Sequence, residues 1–296
     1  MMTSRYIDPT TDFGFKRLFG QEDSKEILKA FLDAILELPH PIADLTYIPT
    51  EQLAASADER AGIYDVYGVD TEGQRFIVEM QRGRQVYFKQ RSLYYATFPI
   101  TQQVQRGETL YPYRLLPIYV IAVLNFQMDD DPRHRRHIQL CDTATGKPFN
   151  PDLTFVYIEL PKFQTVLDPS LSIADKWVYM LRNLPALMDI PTDLDQTPFT
   201  EVFQRAEEAA LSPAERERYE RSRKDTLDEQ GRILHAHQEG HAEGRAEGRA
   251  EGRAEGAIER AVAMARQMLA DGEELSKIAR YTGLSLDEVN RIAAGN

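Results

Sequence analysis

Residues 115–126 read LLPIYVIAVLNF, a nearly unbroken apolar run rich in strand-forming residues. A strand of this kind has no side suited to water. It belongs in a sheet covered on both faces, as in an α/β fold. The rest of the chain must therefore supply neighbouring strands and the helices that cover them.

Those elements can be read on either side of it. Residues 12–38, DFGFKRLFGQEDSKEILKAFLDAILEL, have helical period with a break near Gly20, and Pro39 and Pro41 end the section. One apolar stripe is Phe15, Leu18 and Phe19; the next is Ile27, Leu28, Phe31, Leu32 and Ile35. After the loop EQLAASADERAG comes a hairpin pattern: IYDVYGV, the turn DTEGQ, and RFIVEMQ. Residues 85–106 return to helical period, with Leu93, Tyr94, Phe98 and Val104 among the apolar positions. TFVYIEL at 154–160 predicts another strand, and residues 172–189 and 199–223 predict helices, Trp177 packing in a helix interface. The order implies a mixed central sheet flanked by helices. Composition changes sharply near residue 235, which divides the chain into residues 1–235, a repeat at 236–256 that is a linker or helix, and a small helical module at 257–296.

The hairpin also carries the chemistry. In RFIVEMQ, Phe76, Val78 and Met80 alternate against Ile77, Glu79 and Gln81, so a carboxylate and an amide share one face of an interior strand. A buried, unpaired carboxylate is costly and calls for a cation. Asp65, in the partner strand, can face the same side as Glu79. Two close carboxylates are best reconciled by a divalent ion, and oxygen ligands favour magnesium or manganese over zinc. The competing arrangement pairs Asp65 and Glu79 with Arg75 and Arg82 across an exposed hairpin face.

YDV, a turn containing EG, and FIVEMQ together resemble the motif of the PD-(D/E)XK nuclease superfamily. The resemblance is to the branch called recombination-promoting nucleases, or PD-(D/E)XK-family transposases, with E-x-Q in place of E-x-K. TDFGFKRLFG at 11–20, the helix and strand of 90–126, and VYIELPKF at 156–163 resemble that branch in order and spacing. The resemblance implies a restriction-endonuclease-like core over roughly residues 6–235. It also implies a magnesium- or manganese-dependent DNA endonuclease, with Asp65 and Glu79 as the metal-binding acids and Gln81 in the lysine position. A neutral amide cannot supply the lysine's charge, and Lys89 and Arg91 on the next helix are the candidates to do so. Gln90 and Tyr94 fit the Q-x-x-x-Y spacing of nucleic-acid-processing relatives, although Tyr94 also suits a core position. The alternative is a non-catalytic DNA-binding or assembly protein built on the same fold.

Other residues favour plainer roles. Asp12 reads as a helix-end acid, while Lys16 and Arg17 read as solvated cations or phosphate contacts. His134 and His137, in DPRHRRH, suit a solvated loop better than a metal site, and the same basic cluster is a plausible DNA-backbone contact. The formal net charge of −12 argues against unselective nucleic-acid binding. One cysteine, Cys141, excludes an internal disulfide. With no apolar leader and no segment of membrane-spanning length, a soluble cytoplasmic protein is expected.

The repeat HAEGRAEGRAEGRAEG, residues 241–256, places a glycine at every fourth position and stacks like charges at i,i+4. Alone it should be a frayed helix or flexible linker. Beyond it, AIERAVAMARQMLADG predicts an amphipathic helix, and EELSKIARYTGLSLDEVNRIAAGN reads as helix, turn, helix with a capping box from Ser285 to Glu288. This resembles a helix-turn-helix. Asp287 and Glu288 stand where base contacts are usually made. A self-association or partner-docking module is therefore the preferred reading, with a homodimer as the simplest assembly.

Overall fold

The apolar run becomes the middle of a six-stranded sheet. The computed structural model describes residues 4–49, 64–85, 87–103 and 115–295, so the loop EQLAASADERAG and Val104 lie outside the described residues. Strands β1 (Leu45–Tyr47), β2 (Val66–Asp70), β3 (Arg75–Gln81), β4 (Ile118–Leu124), β5 (Arg135–Cys141) and β6 (Pro148–Glu159) lie in the order β1-β2-β3-β4-β6-β5. β1, β2 and β3 pair antiparallel, β3, β4 and β6 run parallel, and β5 returns antiparallel to β6.

Both faces are covered. On one, Val78, Met80, Ile121, Val123, Val156 and Ile158 meet α1 (Asp12–Phe19), α2 (Lys25–Leu36), α4 (Ile173–Asn183) and α5 (Phe199–Ala206). Trp177, fully buried, has its ring 5.5 Å from Phe31 and 5.0 Å from Phe199. On the other, Ile77, Val120, Ala122, Leu124 and Tyr157 pack under Phe88 and Ala96 of α3 (Phe88–Gln103). The stripe of α3 differs from expectation: Leu93 and Tyr94 are exposed, and the buried residues are Phe88, Ser92, Ala96 and Pro99. Ser92 is buried because its hydroxyl lies 2.7 Å from that of Tyr157.

Thr11 caps α1, its hydroxyl accepting from the Gly14 N–H at 3.0 Å. Gly14 is required there, since a Cβ would stand 2.1 Å from the Asp8 carbonyl oxygen. The expected helix over 199–223 breaks after Ala206 and resumes as α6 (Pro213–Ala270). Two strands carry little apolar pattern in sequence, β1 and β5. His134 and His137 thus flank and occupy an edge strand rather than a solvated loop. The basic residues there are already paired, Arg133 with Asp131, Arg135 with Glu37 and Arg136 with Glu159.

The chain divides into two units, at Glu229 and Gln230. Within the second, the repeat is helical throughout as part of α6. Alanine, glutamate and arginine are good helix formers, and a helix propagated from existing turns does not incur the nucleation penalty again. The last turns of α6 pack with α7 (Leu275–Thr282) and α8 (Leu286–Ala293) around Ala265, Ile278 and Val289. Gly283, at φ +74°, makes the turn between α7 and α8, and Ser285 with Glu288 forms the expected capping box. Among the described residues, no helix is long and apolar enough to cross a membrane.

Candidate functional site

The three parallel strands end together, with Gln81 opposite Leu124 and Leu124 opposite Glu159. This carboxyl edge is where open α/β sheets place their sites. The hairpin register Val66↔Val78 carries Asp65, one residue ahead of β2, to a place across from Glu79. Its backbone N–H donates to Glu79 Oε1 at 3.3 Å, and Asp65 Oδ2 accepts from the Met80 N–H at 2.7 Å. Gln81 Nε2 donates to Glu79 Oε2 at 2.9 Å. Ala122, beside Glu79 in β4, leaves room for this cluster. Asp65, Glu79 and Gln81 therefore form one constellation.

Glu79 is only 4% exposed. Burial first, and then the Asp65 charge, push its carboxyl well above the usual carboxylate range; burial also raises Asp65. Among the described residues, no Lys or Arg nitrogen lies within 4.0 Å of either carboxylate. Arg75 and Arg82 do not pair with them: Arg82 lies 3.6 Å from Asp8, and the Arg75 Nε and Nη1 are buried without a partner.

Glu159, fully buried at the end of β6, shows the contrast. Arg136 holds it at 2.8 Å and Lys162 at 2.7 Å, and the Met128 N–H donates to it at 2.7 Å. One buried glutamate is neutralised by protein cations, and the other is left with an amide and a backbone N–H.

Of the cations expected nearby, Lys89 turns to Asp129, at 3.1 Å, with its side chain mostly exposed. Arg91 lies over the rings of Phe88 and Tyr95 and lowers both acids only through longer-range charge. Lys16 feels both carboxylates as well, while pairing with Asp12 at 2.7 Å. Gln90 is exposed beside the exposed Tyr94, so the core role considered for Tyr94 does not hold. His134 bonds Asp175 at 2.9 Å and packs edge-on to Phe163.

Among the described residues, no three or more His, Cys, Asp or Glu side chains gather as a metal site. A pair of carboxylates with an amide beside them nonetheless fits magnesium, which keeps several of its own waters. A cleft of about 620 Å³ opens beside Asp65, between α1 and residues 218–229 of α6. Sequence reasoning missed this wall. Its signal was the recurrence of Arg218, Arg221, Ser222, Asp225, Thr226 and Glu229 on one helical face.

Comparison with known proteins agrees with this geometry at the level of the family. The family described as PD-(D/E)XK nuclease family transposase matches residues 9–236. The Rpn/YhgA-like nuclease family C-terminal HTH domain matches residues 259–294. No curated protein and no solved structure matches the chain. With the mixed sheet and its carboxyl-edge acids beside a match of that extent, the chain belongs to the PD-(D/E)XK nuclease family transposases.

Proposed function

We propose that this protein is a magnesium- or manganese-dependent DNA endonuclease of the recombination-promoting type. Residues 1–235 form its nuclease-like domain, 236–256 its repeat helix, and 257–296 a helical module for association. The observation that carries the reading is Glu79, buried at the carboxyl edge beside Asp65, with no protein cation within 4.0 Å among the described residues. Such a carboxylate is expensive unless a cation arrives from outside.

In this reading Asp65 and Glu79 hold the ion. A bound divalent cation supplies charge against a phosphodiester and lowers the pKa of a water. The chain's own groups do the rest. The Met80 and Asp65 backbone N–H groups fix the two carboxylates. Gln81, held on Glu79, orients a polar group in the site, and Arg91 with Lys16 adds positive charge from each side. The match to a nuclease family transposase over residues 9–236 supports a DNA substrate.

Incubation of supercoiled plasmid with the protein in magnesium, beside the same protein in chelator, tests this. Nicked or linear product is expected only with the ion, and Glu79→Ala should abolish it, a loss of at least about a hundredfold for a group holding the metal. Equal cleavage by Glu79→Ala and wild type would remove the assignment. DNA binding without any cleavage would favour the non-catalytic alternative.

A further inference from the structure

Arg82 follows Gln81 at the end of β3 and is half-buried in the wall of the cleft beside Asp65. Its Nε and Nη1 are buried and have no hydrogen-bond partner. The nearest acid oxygen, Asp8 Oδ2, lies 3.6 Å from Nη2, too far for a good hydrogen bond. A guanidinium with two buried unpaired donors carries a desolvation cost that a paired one does not. Arginine presents its donors as a planar fork matched to the oxygens of a phosphate.

The surroundings extend that fork into a track. Lys16 of α1 and Arg218 and Arg221 of α6 line the same cleft, the latter two one turn apart on one face. Asp12, Asp65, Asp225 and Glu229 face it too, so the empty cleft is balanced in formal charge. The walls are firm. The Asp8 N–H donates to the Tyr219 hydroxyl at 2.8 Å, the Phe13 N–H donates to Ser222 at 3.2 Å, and Arg218 lies over the Phe13 ring.

We propose that this cleft seats the phosphodiester backbone of a nucleic-acid strand, with Arg82 as the deep anchor and Lys16, Arg218 and Arg221 as flanking contacts. The inference rests on the nuclease reading for the kind of phosphate, since the cleft adjoins Asp65. Arg82 is a positioning residue in this scheme: it holds a phosphate and takes no part in bond breaking.

Binding measured without cleavage separates this seat from the chemistry. Fluorescence anisotropy of a short labelled DNA duplex, with calcium in place of magnesium, is followed across a salt series for wild type, Arg82→Gln and Arg82→Lys. Arg82→Gln should bind about tenfold more weakly, with the slope of log affinity against log salt smaller by about one. Arg82→Lys should restore the slope. Unchanged affinity and slope in Arg82→Gln overturns the proposal. So does a Lys variant that behaves like Gln, or an Arg82-dependent response to inorganic phosphate with none to duplex. A wild type that binds through Arg82 but cuts no plasmid leaves the seat standing and removes the nuclease reading; cleavage with Arg82-independent binding does the reverse.

Discussion

At the scale of the residue, the molecule stakes most on Glu79. The Glu79 carboxyl sits above its ordinary range in the fold because burial and Asp65 disfavour its charge. The native state therefore holds a proton that the unfolded chain gives up. The metal-free protein must lose stability as pH rises from the ordinary carboxylate range through the raised native value. Glu79→Gln removes that charge, so it should melt higher than wild type in chelator, by at least about 2 °C, and the gap should widen with pH. Magnesium should raise the wild-type Tm and leave the variant unmoved, and Asp65→Asn should weaken the response. Thermal melts with and without the ion, at several pH values, check this. A gap that narrows toward alkaline pH would contradict the assigned cause. Asp65, Glu79 and Gln81 were legible in sequence because alternation along β3 places them and hairpin register pairs them. Arg82 was not, because its meaning lies in what fails to reach it.

At the scale of the element, helices and interior strands were readable from apolar period, and β1 and β5 were not. β5 reads RRHIQLC, an edge strand whose charges are met by Glu37, Asp129 and Glu159 rather than by water. Charged edges of this kind discourage pairing with other chains, and they hide the strand from any search for hydrophobic alternation. α6 fails in the other direction, since residue-by-residue propensity undervalues a helix extended from both ends. Gly244, Gly248 and Gly252 have helical backbone and open space where a Cβ would stand. Each replacement by alanine should stabilise α6 by about 1 kcal/mol, and the triple variant should resist helix loss on heating. Circular dichroism at 222 nm gives the comparison; no gain in helix would show that the repeat is not helical in solution.

At the scale of the whole molecule, the first unit is complete by Glu229 and the second has a small core of its own. Ala265, Ile278 and Val289 are buried there, so the amphipathic stripes foreseen in the sequence partly satisfy one another. Ile258, Met264, Tyr281 and Leu286 remain exposed. A unit this small is marginal, and a second copy would cover what it leaves bare. Truncation after residue 235 should leave a cooperatively melting nuclease-like unit with weaker self-association, because every residue of the cleft wall is retained. Light scattering of both forms decides it, and a full-length monomer at tens of micromolar would rule the dimer out.

The clasp between residues 6–17 and residues 207–222 has a consequence for synthesis. Tyr6 bridges Glu207, Asp8 meets Tyr219, Phe13 meets Ser222, and Arg17 pairs with Glu215, contacts between segments some two hundred residues apart. Loops of that length close late and slowly. Asp65 and Glu79 leave the ribosome long before Ser222 does. The cleft exists only afterwards, so unfinished chains carry Asp65 and Glu79 without the α6 wall beside them.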